Sequence, residues 1–259
     1  MRDPFFVVTT GRAGSVSLAL TLSSHPLLCA LHECWPWLIP MAEEKCRGAG
    51  KSEAELVDLF RFVTPRPAGV QRAGIVDQKL APFVRELAST FAESQFLWLV
   101  RDGRLAVASM YARGWYEEGE QRWPSHAWAK YRVQGDSVGS LQAEEWRQMS
   151  AFARCCWYWG WWNGQIRAAL EALGERHWLM LRLEDLADEE AGPGLLERVQ
   201  DWLGVRPVEM QLMHTNQGSQ GERLEPLWRG WRAGQRASFA RWCGEEMDRL
   251  YAGWRDRWE

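Results

Sequence analysis

One stretch decides the expected fold: Phe5-Phe6-Val7-Val8-Thr9-Thr10-Gly11-Arg12-Ala13-Gly14-Ser15. A short apolar, β-prone run leads into two glycines and a cation, and the helical pattern of Leu18 and Leu22 follows at once. A strand, a glycine loop and a helix in this order direct backbone N–H groups and a helix N-terminus towards an anion. The stretch therefore predicts a phosphate-binding loop.

This loop lacks the residues of the common phosphate-binding loop. The G-x-x-x-x-G-K-[ST] motif needs a Lys-Ser/Thr pair to hold phosphates and Mg²⁺, and no such pair follows Gly14. Arg12 lies inside the loop instead. A P-loop kinase acting on a small metabolite therefore remains only an alternative, with Asp77 as its one weak candidate for a magnesium ligand.

The composition is that of a globular protein. Of the 259 residues, 46% are hydrophobic and 25% are charged. A net charge of −3 and the absence of a Lys/Arg block argue against a nucleic-acid partner. No apolar run approaches the roughly 20 residues that span a bilayer. We therefore expect neither a nucleic-acid-binding nor a membrane-spanning protein.

Six cysteines and the position of the first strand indicate a cytoplasmic protein. The cysteines show no metal-ligand spacing, and the adjacent Cys155 and Cys156 are expected to be buried thiols in a reducing compartment. The first predicted strand begins at Phe5, which leaves no room for a signal peptide. A chain from which a leader had been removed would look the same.

Short apolar runs alternate with helical patterns along the chain. This alternation predicts an α/β protein, a three-layer α/β/α fold around a central, mainly parallel sheet. Ligands bind beyond the carboxyl ends of the strands in such sheets. The predicted strand ends are rich in charged residues, namely Arg12, Glu33, Asp77, Lys79, Arg101 and Glu184.

Three helix boundaries can be predicted from local signals. Ser52-x-x-Glu55 is a capping box that begins a helix. Residues 141–173 read as a long helix or a helical pair, with an interruption near Gly160 or Gly164. The last helix is predicted over about 235–251.

Three segments, in this order, resemble the sulfotransferases that use 3′-phosphoadenosine 5′-phosphosulfate (PAPS). Residues 10–17 resemble the 5′-phosphosulfate loop of that family, in the version with Arg where cytosolic members carry Lys. Residues 99–109 resemble its 3′-phosphate motif, and residues 181–186 resemble its late strand motif. The resemblance implies a P-loop nucleoside-triphosphate-hydrolase-like architecture over a single sulfotransferase domain, 1–259.

The resemblance also implies which residues hold the donor. Arg101 and Ser109 would grip the 3′-phosphate, and Arg223 lies in the 218–223 loop, where family members close a lid over the nucleotide. Ser15 is the expected side-chain donor of the first loop, because Ala13 and Val16 replace hydroxyl residues often found there. The whole loop is expected to hold the 5′-phosphosulfate: Gly11, Arg12, Ala13, Gly14, Ser15, Val16 and Ser17.

The implied reaction moves a sulfuryl group from PAPS to a hydroxyl or, less favourably, an amine, leaves 3′-phosphoadenosine 5′-phosphate (PAP) and requires no metal. Arg12 and Lys79 would neutralise the charge that grows on the leaving 5′-phosphate. The acceptor needs a general base, and Glu33 is favoured because members with an Arg loop carry a Glu at about this distance. His32 is the next candidate. Asp77 and His126 stay as further alternatives.

Tryptophan is unusually frequent, with 18 in the chain and eight of them between Trp115 and Trp162. Aromatic side chains line ligand pockets, and the resemblance places acceptor-binding elements in the insertion at about 111–165. Ordinary core packing explains these residues equally well. The acceptor, whether small molecule, carbohydrate or peptide, and the oligomeric state stay open. The predicted lining of an acceptor pocket is Trp115, Tyr116, Trp123 and Trp128.

The second alternative for the function of the chain is a non-catalytic descendant that binds a nucleotide or a partner protein.

Overall fold

The computed structural model describes residues 3–65, 67–120, 124–214 and 228–257, without the side chains of 124–127 and 257. The chain divides into two compact units. The first unit comprises residues 1–38, 51–101 and 166–217, and the second comprises residues 39–50, 102–165 and 218–259. Folding of the whole chain as one domain stays a prediction.

The first unit contains a five-stranded sheet in the order β2-β3-β1-β4-β5. Its strands are β1 (Phe5–Val8), β2 (Leu28–His32), β3 (Arg72–Val76), β4 (Gln95–Val100) and β5 (Trp178–Arg182). All neighbouring strands pair in parallel. Over the described residues the α-helices are α1 (Ser15–Ser23), α2 (Leu38–Cys46), α3 (Glu53–Val63), α4 (Val84–Thr90), α5 (Gly103–Tyr111), α6 (Ala143–Gln148), α7 (Ala151–Glu171), α8 (Leu183–Leu186), α9 (Ala191–Leu203) and α10 (Ala233–Leu250). Short 3₁₀ helices cover Gln78–Phe83, Pro124–Tyr131, Glu175–His177 and Trp254–Arg257.

Side chains of β1 alternate between two covered faces of the sheet. Phe5 and Val7 belong to a core cluster with residues of α1, α8 and α9. Phe6 points the opposite way, and its ring lies 6.1 Å from that of Phe91 and 5.5 Å from that of Phe96. Burial on both faces explains the continuous apolar run. The three-layer α/β/α fold is thereby confirmed.

Two local features of the first unit are a close approach between β1 and β3 and a capping box at the start of α3. Phe5 lies opposite Gly74 of β3, and a Cβ on that glycine would come within 2.2 Å of the Phe5 ring. The predicted capping box is confirmed at α3. The Ser52 N–H donates to Glu55 Oε2 over 2.9 Å, and Ser52 Oγ accepts from the Glu55 N–H over 3.4 Å.

The strand order reverses at β1. The chain leaves β1 for β2, returns to β3 beside β1, and then crosses to β4 on the other side of β1. Parallel α/β sheets bind ligands at such a switch point, beyond the carboxyl ends of the two strands that diverge there. The loop after β1 and the residue after β4 are therefore the first places to look for a site.

The second unit corrects one predicted helix boundary. The interruption expected near Gly160 or Gly164 is wrong, because both glycines lie inside α7, and the helical run breaks at residues 149–150 instead. Ser150 Oγ accepts from the Ala153 N–H over 3.2 Å and so caps the start of α7. Gly160 allows close helix packing, since a Cβ there would lie 2.1 Å from the Trp242 carbonyl oxygen.

The remaining boundaries differ less from expectation. The 3₁₀ helix Gln78–Phe83, which contains Pro82, continues directly as α4. The last helix begins two residues earlier than predicted, at Ala233. A search of the described residues finds no helix with the length and apolarity needed to cross a bilayer.

Candidate active site

The loop between β1 and α1 turns through left-handed backbone conformations. Gly11, Arg12 and Gly14 have φ of 78°, 56° and 83°. The two glycines adopt this region freely, whereas Arg12 is strained there by roughly 1–2 kcal/mol. Gly14 is the N-cap of α1 and offers no side-chain cap to its first turn. Such a turn before an uncapped helix N-terminus is suited to an anion.

Residues from two other strand ends pack against the loop. A Cβ on Gly11 would lie 2.1 Å from the side-chain amide of Gln78, and a Cβ on Gly14 would lie 2.6 Å from a methyl carbon of Leu183. Gln78 follows β3 and Leu183 follows β5. Both glycines therefore allow tight packing of the loop, and their positive φ is the stronger reason for glycine at these positions.

Arg101 connects the two strands that diverge at the switch point. It follows β4, and its Nη1 donates to the carbonyl oxygen of Arg12 over 3.0 Å. The guanidinium has five N–H donors in a planar fork, and this hydrogen bond uses one of them. Arg101 thus stabilises the strained loop from the neighbouring strand.

Lys79 lies at the centre of a polar cluster beside the loop. Its Nζ lies 3.5 Å from Glu33 Oε1 and 3.9 Å from Asp77 Oδ1. With the Gln78 amide assigned so that both of its polar atoms are paired, its oxygen accepts from Lys79 Nζ over 2.6 Å and its nitrogen donates to the Thr10 carbonyl oxygen over 3.1 Å. The side chain of Lys79 is 13% exposed. The cluster therefore holds a cation between the loop and the Glu33 carboxylate.

Glu33 has a strained backbone and an accessible carboxylate. Its φ is 45°, in the left-handed region that few non-glycine residues adopt. Its N–H donates to the Val76 carbonyl oxygen over 3.0 Å, which continues the pairing of β2 with β3 by one residue. The side chain is 46% exposed. Strain of this kind is concentrated at functional sites.

His32 contacts the loop through its ring. Nε2 lies 3.0 Å from Ser15 Oγ, the hydroxyl of the first residue of α1. Burial lowers the pKa of His32, and Lys79 lowers it further, against the opposing field of Glu33. The imidazole is therefore neutral at pH 7 and carries a single ring proton.

Asp77 is buried behind the lysine. Only 3% of it is exposed, and its Oδ1 accepts from the Lys79 N–H over 2.8 Å. Burial raises the pKa of Asp77 to about 6, although Lys79 opposes the shift. With its carboxylate enclosed and hydrogen-bonded, Asp77 anchors the turn that carries Lys79.

The predicted aromatic lining occupies the second unit. The guanidinium carbon of Arg132 lies 3.7 Å from the ring centroid of Trp115, 5.5 Å from that of Tyr116 and 4.7 Å from that of Trp128. Arg132 also forms a buried ion pair with Glu120. These rings therefore enclose a paired cation, an arrangement that stabilises a core. Their role as an acceptor pocket stays a prediction.

For four other predicted residues, a part in the site stays a prediction. Ser109 is buried on α5 in the second unit, and its pairing with Arg101 on a 3′-phosphate stays a prediction. Trp123 and Arg223 lie outside the described residues, as does the side chain of His126.

Sequence reasoning missed the contacts that Gln78, Leu183 and Ser15 make in the site. Gln78 was not singled out, although its position between Asp77 and Lys79 at a strand end was a usable signal. The packing of Leu183 on Gly14 and the contact of Ser15 with His32 had no such signal. Both join residues from different strands, so they depend on how the sheet is assembled.

Comparison with known proteins gives a likeness of fold. No family model matches this chain, and no curated protein matches it. Among solved structures, the sulfotransferase domain from the curacin biosynthetic pathway is 17% identical, with a TM-score of 0.51 over 81% of this chain and 76% of that one.

Two further structures give similar values. The sulfotransferase domain of the Synechococcus PCC 7002 olefin synthase is 17% identical, with a TM-score of 0.50 over 95% of this chain and 96% of that one. A sulfotransferase from Mycobacterium avium is 10% identical, with a TM-score of 0.51 over 96% and 77%. At these identities the likeness concerns the fold.

Proposed function

Because the chain has the fold of the sulfotransferases, we propose that it transfers a sulfuryl group from PAPS to a hydroxyl acceptor. One observation carries the proposal. At the switch point of the sheet, a left-handed loop with Arg12, the cation of Lys79 and the accessible carboxylate of Glu33 form one connected cluster. An anion site, a cation and a candidate base in contact are the parts that sulfuryl transfer needs.

The residues of the loop fit the donor. PAPS supplies the sulfuryl group together with the 5′-phosphate from which that group departs. The amides of the turn and of the α1 N-terminus would bind the 5′ end, because both are positively polarised. Arg101 would bind the 3′-phosphate, because its planar guanidinium matches the geometry of phosphate oxygens.

The charged side chains divide the work of the reaction. Glu33 would accept the proton of the acceptor hydroxyl while the new S–O bond forms, and the electron pair of the broken S–O bond would go to the 5′-phosphate oxygen. Arg12 and Lys79 would stabilise the negative charge gained by that phosphate. Fixed cations of this kind contribute a few kcal/mol each to transition-state stabilisation.

Geometry favours Glu33 over His32 and Asp77 as the base. The Nε2 atom of His32 is engaged by Ser15, and the carboxylate of Asp77 is enclosed and accepts from a backbone N–H. Glu33 is 46% exposed, so an acceptor can reach its carboxylate.

A transfer assay tests the proposal. The protein is incubated with ³⁵S-labelled PAPS and a panel of phenols, sugars, aliphatic alcohols, tyrosine peptides and amines, and labelled products are separated. We expect at least one hydroxyl compound to be labelled by the wild type. The Arg12→Ala variant should label the same compound at least tenfold more slowly. Labelling of amines alone would contradict the hydroxyl acceptor, and no labelling together with no PAP binding would contradict the function.

A further inference from the structure

We propose that His32 is a positioning residue that acts through Ser15, by donating from Nε2 to the serine oxygen so that the serine proton points to the bound phosphate. The proposal rests on the proposed function, because the anion it invokes is the 5′-phosphate of PAPS or PAP. It gives His32 a part in donor binding that is distinct from proton abstraction at the acceptor.

The Ser15 hydroxyl can give its proton to only one partner at a time. The Ser15 hydroxyl has one proton to donate, and its oxygen can also accept. Its oxygen lies 3.0 Å from His32 Nε2, a distance that fits a hydrogen bond in either direction. If Nε2 accepts, the hydroxyl proton is used up by the imidazole. If Nε2 donates, that proton is available to another acceptor.

A bound phosphate selects between the two arrangements. Phosphate oxygens without a proton only accept hydrogen bonds, so a serine whose proton pointed at His32 would face the anion with lone pairs. A serine that receives a hydrogen bond from Nε2–H can donate to the anion instead. Phosphate binding and a proton on Nε2 therefore favour each other, and such coupling is reciprocal.

Ser15 is well placed for this role. It is the first residue of α1 and follows the left-handed Gly14, so its hydroxyl lies at the helix N-terminus where an anion is expected. Its neighbours Ala13 and Val16 have no hydroxyl. An oriented Ser15 proton would therefore supplement the backbone amides of the loop.

The surroundings of His32 keep the imidazole neutral and leave its ring proton able to occupy either nitrogen. Burial and Lys79 lower its pKa, while Glu33 raises it. A neutral ring has one proton that can occupy either nitrogen. An anion held by Ser15 would stabilise the Nε2–H form, whether neutral or cationic. A change of tautomer alone is sufficient, so the coupling operates at neutral pH.

Nitrogen NMR measures the proton directly. Protein labelled with ¹⁵N in histidine is recorded free and with saturating PAP, and the His32 signals are assigned by their absence in His32→Gln. We expect the Nε2 signal in the PAP complex to fall in the protonated range. An unprotonated Nε2 in that complex would overturn the proposal.

Matched substitutions separate positioning from catalysis. His32→Gln places an amide that can donate to Ser15, whereas His32→Leu removes the donor at similar size. We expect His32→Gln to bind PAP within about threefold of the wild type and His32→Leu to bind it about tenfold more weakly, the range for one hydrogen bond to a charged group. In a Ser15→Ala background, His32→Leu should cause no further loss.

Four outcomes of these measurements would count against the proposal. Equal losses for the two His32 variants would remove the hydrogen-bond argument, and an undiminished loss in the Ser15→Ala background would show that His32 does not act through Ser15. Normal PAP affinity with a hundredfold loss of turnover in His32→Gln would make His32 the base. Failure of the wild type to bind PAP would overturn the proposed function as well.

Discussion

Glu33 combines two properties that conflict in a residue selected for stability alone. Its left-handed backbone costs roughly 1–2 kcal/mol in a non-glycine residue, and its carboxylate remains half exposed beside Lys79. Glycine would fit the backbone without strain but would remove the carboxylate. The strain is therefore intelligible if the carboxylate has a chemical function.

The first prediction concerns this carboxylate. Glu33→Gln keeps the size of the side chain and removes its basicity. We expect kcat to fall by a factor of about 10² to 10⁴, the usual contribution of a general base, with little change in PAP affinity. Turnover with labelled PAPS and calorimetric titration with PAP measure the two quantities. Glu197→Gln, at an exposed position of α9, is the control, and wild-type turnover in Glu33→Gln would exclude Glu33 as the base.

A second prediction at this scale concerns the buried acid. The pKa of Asp77 is about 6 in the folded protein, above its ordinary value of 3.8. The folded state therefore binds this proton more tightly, so the contribution of Asp77 to stability is fully present below pH 3.8 and is lost as the pH rises through 6. About 1.4 kcal/mol corresponds to each pKa unit, which amounts to roughly 3 kcal/mol over that interval.

Asp77→Asn removes this titration. Relative to the wild type, its free energy of unfolding should rise by up to about 3 kcal/mol between pH 4 and pH 8. Urea denaturation at several pH values measures the difference between the two proteins, which cancels the titrating groups that do not interact with Asp77. A difference that does not vary with pH would refute the raised pKa.

At the scale of elements, local sequence patterns predict the strands and helix ends that depend only on nearby residues. The buried strands follow from their apolar runs, and the start of α3 follows from Ser52 and Glu55. The helix break expected near Gly160 or Gly164 was misplaced, because a glycine indicates a helix end only when no neighbouring residue packs into the space left by its missing side chain. Gly160 is held inside α7 by the approach of the Trp242 carbonyl, a contact between residues 82 positions apart that no local pattern reports.

The two glycines of α7 give a matched test of this explanation. Gly160→Ala would bring a Cβ to 2.1 Å from the Trp242 carbonyl oxygen, whereas the nearest atom to a Cβ at Gly164 is a Glu246 carboxylate oxygen at 3.5 Å. Overpacking typically costs about 1–3 kcal/mol, while replacing a helical glycine by alanine contributes up to about 1 kcal/mol.

The expected results have opposite signs. Gly160→Ala should lower the free energy of unfolding by about 1–3 kcal/mol, and Gly164→Ala should leave it unchanged or raise it slightly. Circular dichroism during urea denaturation measures both. Equal stabilities for the two variants would mean that Gly160 does not mediate the contact with α10.

At the scale of the whole molecule, the candidate site illustrates what can be predicted from a sequence. Charged residues at strand ends were identified in advance, because parallel strands bring their carboxyl ends to one edge. The sequence did not predict the contact of His32 with Ser15 or the hydrogen bond from Arg101 to the Arg12 carbonyl. Each depends on strand order and on side-chain directions that arise only when the complete sheet forms.

Arg101 is expected to affect the stability of the whole molecule through nucleotide binding. A ligand that binds only the folded state stabilises it by mass action, by about 2.7 kcal/mol at 100 times its Kd. PAP should therefore raise the melting temperature of the wild type without added Mg²⁺. AMP, which lacks the 3′-phosphate, should raise it less.

Arg101→Ala should affect the two ligands unequally. The loss of the hydrogen bond to the Arg12 carbonyl loosens the loop and weakens any ligand with a 5′-phosphate, so AMP should lose some affinity. PAP should lose about tenfold more, because it also loses the proposed contact to its 3′-phosphate. Melting curves over a concentration series of each ligand give both affinities. Equal losses of affinity for AMP and PAP would mean that Arg101 supports the loop and does not bind the 3′-phosphate.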